Sequence, residues 1–222
     1  MILSLTTLPP STPERYTRYH STWQDYIALR DDPNLDWQKI SFHQGWLWVD
    51  MGKEGPNHSS FSDLITMIFG FWPLLHPEVV LQSYGRCIFE LPDTHACAPD
   101  LVLYQGEPIP KWQSGEPRRL DLKRHRLPDL VGEIADTNLS LDLDEQKQLY
   151  ASLGIPEYWV VDVKGTRVFA FKLTEDGDYE PIQHSLILSG LAISLVEQTL
   201  ERLATETNTA AAMWLFQQLQ KL

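Results

Sequence analysis

Leu130-Val131-Gly132-Glu133-Ile134-Ala135 decides the fold, because it is an apolar run of strand length with a single carboxylate in its middle. A helical pattern follows from Asp142 to Leu153 and is stopped by Gly154-Ile155-Pro156, in the usual order of glycine then proline. Tyr158-Trp159-Val160-Val161-Asp162-Val163 and Arg167-Val168-Phe169-Ala170-Phe171-Lys172 then read as a hairpin turning over Lys164-Gly165-Thr166. Upstream, strands are expected at about Val79 to Tyr84, Cys87 to Glu90 and Leu101 to Tyr104. Before them, Asn57-His58-Ser59-Ser60 caps a strongly apolar helix through Leu64, Ile65, Ile68 and Phe71, which Pro73 and Pro77 should close. A hairpin turning near Gln44-Gly45 covers Ile40 to Val49, and a short helix covers Ser21 to Leu29. The order of helix, strands, helix and strands predicts a mixed α/β (α+β) layer fold, with helices covering a central sheet.

With 222 residues, 43% hydrophobic, the chain suits one well-buried core and is short for two domains. The expected organisation is a single domain with a core from about 37 to 203, an N-terminal arm at 1–20 and a helical extension at 204–222. In that extension Trp214 lies on an apolar stripe, which either docks on the domain's own surface or makes a dimer contact. The net charge of −12 opposes non-specific coating of nucleic acid. Cys87 and Cys97 lack metal-ligand spacing and read as two reduced cysteines of the core. No basic, apolar leader and no run of about 18 apolar residues is present, so a soluble, cytoplasmic protein is expected.

Chemistry gathers on three side chains. Asp100 opens the strand Pro99-Asp100-Leu101-Val102-Leu103-Tyr104, and Glu133 interrupts an apolar one. A core strand seldom holds an ionised carboxylate unless a cation or hydrogen bonds compensate its desolvation. Lys147 shares a helical face with Leu143 and Tyr150, so it faces inward. Two carboxylates on neighbouring strands suit Mg²⁺ or Mn²⁺, and a lysine beside them suits phosphodiester hydrolysis. Each residue also has a plainer reading. Asp100 could simply begin a strand, Glu133 could pair with an arginine, and the Lys147 stem could lie along the helix with its ammonium in water.

Pro99-Asp100-Leu101-Val102, Pro128 to Ile134, Asp144 to Tyr150 and Gly154 to Asp162 together resemble the Uma-type restriction endonuclease family of the PD-(D/E)XK nuclease superfamily. The resemblance runs from about Trp37 to Leu200 and is strongest between Pro128 and Asp162. It implies a restriction-endonuclease-like fold and metal-dependent cleavage of DNA. Asp100 and Glu133 then match the metal ligands, and Lys147 matches a lysine carried by the helix after Glu133, since the position two after Glu133 is Ala135. His58 matches a histidine at the start of the long helix and reads either as an accessory group or as a hydrogen-bonding group of the helix start. Tyr150 reads as core packing or as support for the site. Two departures from the family pattern are visible: Asp136-Thr137-Asn138-Leu139-Ser140 replaces a Ser-Pro-Ser-type turn, and no acid stands beside Gly45.

Lys111 to Arg126 holds six of the chain's 18 Lys and Arg residues against only Glu116 and Asp121. Arg118, Arg119, Lys123, Arg124 and Arg126 are candidate phosphate-binding residues if this loop leans over the site; a solvated loop is the alternative. Trp37, Trp46 and Trp48 read as hairpin packing rather than base stacking. The reading as a whole expects an endonuclease acting on DNA, as a homodimer or higher homo-oligomer, with the helix-borne ammonium pointing at the acid pair. Its competitors are a non-catalytic interaction or regulatory module that keeps the fold, and a phosphodiesterase acting on a small nucleotide.

Overall fold

The computed structural model describes residues 16–34, 39–50 and 54–221, and within these two mixed sheets and five helices of seven residues or more build the fold. The strands are β1 (Tyr16–His20), β2 (Lys39–His43), β3 (Trp46–Asp50), β4 (Leu81–Tyr84), β5 (Phe89–Leu91), β6 (His95–Cys97), β7 (Leu101–Gln105), β8 (Leu120–Asp121), β9 (Leu130–Ala135), β10 (Glu157–Asp162), β11 (Arg167–Leu173) and β12 (Tyr179–Pro181). The first sheet has the order β1-β3-β2-β6-β5-β8 and the second the order β12-β11-β10-β9-β7-β4. The helices are α1 (Trp23–Arg30), α2 (Pro56–Leu75), the single turn α3 (Leu139–Leu141), α4 (Lys147–Leu153), α5 (Ile193–Glu201) and α6 (Asn208–Leu219).

The second sheet is the apolar centre. Its strands β9 and β10 run parallel, with Glu133 opposite Val160, while β7 runs antiparallel to β9, with Leu101 opposite Gly132. Every residue of β9 and β10 is buried, as expected for strands covered on both faces. One face carries Leu101, Leu103, Leu130, Ile134, Trp159 and Val161 against α2, α5 and α6. The other carries Val102, Val131 and Val160, packed with Leu149, Tyr150 and Tyr158 around α4. Gly132 is needed where the layers close up, since a Cβ there would stand 3.1 Å from Leu101 Cδ1 and 3.2 Å from the Trp159 carbonyl.

The first sheet is smaller. Thr22 caps α1 through a reciprocal bond with Asp25, and Tyr26 of α1 packs with Phe42, Leu47, Val49 and Ala96 on one face of the sheet. The opposite face of β2 carries Lys39, Ser41 and His43, and Ser41 and His43 are buried although polar.

Several expected boundaries shift. Residues 16–20 of the expected loose arm form β1, paired along its length with β3; residues 1–15 and Trp37 lie outside the described residues. Pro73 sits inside α2 rather than ending it: the apolar face through Phe69 and Trp72 remains packed in the core, and the helix runs on to Leu75. The expected helix over 142–153 begins as a π-helical turn, Asp142–Gln146, before α4. Strands β6, β8 and β12 have only two or three residues each and were not anticipated. The last helix docks on its own chain, with Ala211, Ala212 and Leu215 buried in the core that α2 shares. Both cysteines are free thiols, Cys97 fully buried. Among the described residues no helix is long and apolar enough to cross a membrane.

Candidate active site

The register that sets Leu101 opposite Gly132 also sets Asp100, one residue earlier, opposite Glu133, one residue later. Both carboxylates point to the face of the second sheet that α4 covers. Glu133 is 1% exposed and Asp100 5% exposed, so each needs partners within the protein. The Asp100 N–H donates to Glu133 Oε2 at 3.3 Å, and the Ile134 N–H donates to Asp100 Oδ2 at 2.9 Å. Tyr150 O–H donates to Glu133 Oε1 at 2.5 Å, and His58 Nε2 lies 3.2 Å from Asp100 Oδ2.

The cation between the two acids is Lys39, at the start of β2 in the other sheet. Its ammonium is 3.1 Å from Asp100 Oδ1 and also donates to Glu133 Oε2. Lys147 is not there. Its ammonium lies 4.1 Å from the centre of the Phe171 ring, over β11. A π turn precedes it and carries more residues than an α turn, so Leu143 leaves the helical face of Lys147, while Lys147 and Tyr150 stay one α turn apart. Tyr150 still faces Glu133, Gln146 faces the first sheet with its amide donating to Ser41 Oγ at 3.1 Å, and Lys147 is turned toward Phe171.

Charge at the site is unevenly held. Burial opposes ionisation of Asp100, but Lys39, His58 and the Ile134 N–H outweigh it and lower its pKa. Burial and then the charge of Asp100 win at Glu133 over Lys39 and Tyr150, raising it to about 7. Burial also raises Asp142 well above its ordinary value, with Glu133 adding to the effect. Burial works against the Lys39 ammonium as well, yet Asp100, Glu133 and Asp142 together raise its pKa. Three buried carboxyl groups thus surround one lysine, and burial holds Glu133 and Asp142 toward their neutral forms.

A second group adjoins this one. Glu54, just before α2, brings Oε1 to 3.5 Å from His58 Nε2, and one ligand atom from each of Glu54, His58 and Asp100 lies within 4.8 Å of the others. These three residues could hold a metal ion. Arg86 pairs with Glu54, and its Nε lies 3.8 Å from Asp100 Oδ1.

The basic loop divides. Arg119 pairs with Glu90 at 2.9 Å, within a buried network that also contains Arg30 and Tyr26. Arg126 is held by Asp129 and by the carbonyls of Gln105, Gly106 and Pro108, at the opposite end of β7 from Asp100. Those two guanidinium groups, of the five expected as possible phosphate contacts, are engaged by the fold. Arg118 stands 5.9 Å from the Trp112 ring, and Arg118, Lys123 and Arg124 are exposed. Trp48 is buried, with Arg18 above it and above Trp46, as hairpin packing predicts.

Sequence reasoning missed Lys39, Glu54 and Asp142. For Lys39 a signal existed: Lys39, Ser41 and His43 alternate with Ile40 and Phe42, so the lysine belongs to one face of a strand. Only tertiary contact shows that this polar face is covered.

Comparison with known proteins agrees with the fold. The family profile described as "Uma2: Putative restriction endonuclease" matches residues 23–208. Among solved structures, a protein described as a "putative nuclease belonging to DUF820" from Anabaena variabilis ATCC 29413 is similar in fold, with a TM-score of 0.56 at 14% identity, over 87% of this chain and 98% of that one. No curated protein matches the chain.

Proposed function

Since the chain belongs to the Uma2 restriction endonuclease family, we propose that it is a divalent-cation-dependent endonuclease hydrolysing phosphodiester bonds in DNA. The observation that carries this reading is the pair of buried carboxylates, Asp100 and Glu133, side by side on antiparallel strands and bridged by one ammonium. The donors fit a hard divalent ion: carboxylate oxygens of Asp100 and Glu133 lie close together, and His58 and Glu54 stand beside Asp100. Asp100 and Glu133 would hold Mg²⁺ or Mn²⁺. The ion supplies Lewis acidity at the scissile phosphate when bound.

The chain's own groups do the rest. The Tyr150 hydroxyl fixes the rotation of the Glu133 carboxylate, and the Ile134 N–H fixes that of Asp100. Lys39 takes the part expected of Lys147: a preorganised ammonium at the acid pair, able to orient the attacking water and to offset charge developing at phosphorus. His58 holds Asp100 Oδ2 and is a positioning residue in this scheme. Exposed Arg118, Lys123 and Arg124 remain as candidate phosphate contacts, and a homo-oligomer acting in the cytoplasm remains part of the proposal.

The test is a plasmid-nicking assay with Mg²⁺ or Mn²⁺, together with calorimetric titration of the ion. Wild type should nick DNA and bind the ion. Asp100→Asn and Glu133→Gln should lose cleavage and the ion held at this acid pair. Wild type and variants behaving alike on DNA, with ion binding unchanged, would overturn the reading in favour of a non-catalytic module.

A further inference from the structure

A pocket beside Lys39 is lined by Ser41, Trp48, Asp50, Asn138, Asp142 and Gln146, and neither Asp100 nor Glu133 belongs to its wall. Asp142 is 2% exposed and its Oδ2 has no partner among the described residues. Gln146 is 6% exposed and its Oε1 likewise has none, while its amide nitrogen is engaged by Ser41. Lys39 lines the pocket with its side chain, but its ammonium is held by Asp100 and Glu133. A buried carboxyl oxygen and a buried amide oxygen without hydrogen-bond partners each need a donor or a metal.

Backbone geometry explains why these two side chains meet. Asp142 and Gln146 are the first and last residues of the π turn and its only buried ones. The widened turn brings both into one wall. Across the pocket stand Ser41 of β2 and Asp50 of β3, which border it as well. The assembled donors are carboxylate, amide and hydroxyl oxygens, the set that hard divalent ions take.

We propose that this pocket is a second divalent-cation site, held by Asp142 and Gln146 with Asp50 and Ser41 opposite, and separated from the Asp100–Glu133 centre by the Lys39 side chain. The site takes Mg²⁺ or Mn²⁺. Its function, adding positive charge for a phosphate that lies beyond Lys39, rests on the nuclease reading; its binding of the ion does not.

The experiment is Mn²⁺ titration of the full chain, followed by calorimetry and by electron paramagnetic resonance of free Mn²⁺. Wild type should bind two ions per chain. Asp142→Asn should bind one, and Glu133→Gln should keep the ion at this pocket. Gln146→Met, which retains shape and removes the amide oxygen, should weaken one of the two binding events at least tenfold. Equal stoichiometry and affinity in wild type and Asp142→Asn overturn the proposal. If Asp142→Asn does not fold, an unchanged titration of Gln146→Met overturns it instead. Two bound ions with no cleavage of DNA would sink the nuclease reading and leave this site standing, whereas cleavage with one ion that Asp142→Asn does not disturb would do the reverse.

Discussion

Strands β9 and β2 each contribute a charged group to the same cluster, yet they are built on opposite plans. In β9 all six residues are buried and the layer on each side is apolar, so Glu133 stands out as an anomaly. In β2 polar and apolar residues alternate, a pattern that ordinarily means one wet face. Here the polar face is covered, because the π turn and Trp48 close over it. The contrast teaches that a charge in an apolar strand announces itself, while a charge on an alternating strand is disguised as surface until its neighbours are known.

The largest expected effect sets the two lysines against each other. If β2 supplies the working ammonium, Lys39→Met should reduce DNA cleavage by about 10²–10³-fold, in line with removal of one preorganised charge donor. Lys147→Met, at a residue whose ammonium lies over Phe171, should leave cleavage within about threefold of wild type. A reversed result in parallel nicking assays would return the role to the helix.

The next effect probes the covered face of β2 through pH. His43 lies directly opposite His95, with ring centroids 4.9 Å apart. Burial, and then the neighbouring His43, pushes His95 down to about 4; burial lowers His43 as well. An unfolded imidazole takes its proton near pH 6.5. The unfolded chain therefore binds more protons between 6.5 and about 4, so stability is complete above pH 6.5 and falls as pH drops through that window. His95 alone should contribute about 3 kcal/mol to that loss. Denaturant unfolding at pH 7 and pH 4.5 measures it, and His95→Leu should flatten the curve.

A smaller effect tests the tight packing of β9. Gly132→Ala would push a methyl group against Leu101 and the Trp159 carbonyl, at a cost of about 1–3 kcal/mol. Thermal unfolding should show it, and no change would mean that the layers are looser than the distances imply. The smallest is Ser41→Ala on β2, which removes the acceptor of the Gln146 amide and should cost about 1 kcal/mol by the same measurement.

Much of the fold was legible from local pattern. The run Leu130 to Ala135, the Gly154-Ile155-Pro156 stop and the hairpin over Lys164-Gly165-Thr166 each carry their signal within a few residues, and each forms as read. The short pairings β6 and β8 were not legible, because two or three residues hold no periodicity and exist only where a neighbour pairs with them. Asp100 and Glu133 were found because burial makes a lone carboxylate conspicuous. Lys39 belongs to a face whose alternation looks solvated, and Lys147 matches the family's helix-borne lysine and lies one turn from Tyr150, so only the packing shows that its ammonium lies over Phe171.

By itself, then, the sequence determined the family through the resemblance of its motifs, and the layered α/β character and the two acids at β7 and β9 through short-range spacing of apolar and charged residues. Tertiary structure alone decided which ammonium joins them. A lysine of one sheet reaches the carboxylates of the other through the packing of the two sheets, which is set by contacts between residues far apart in the chain.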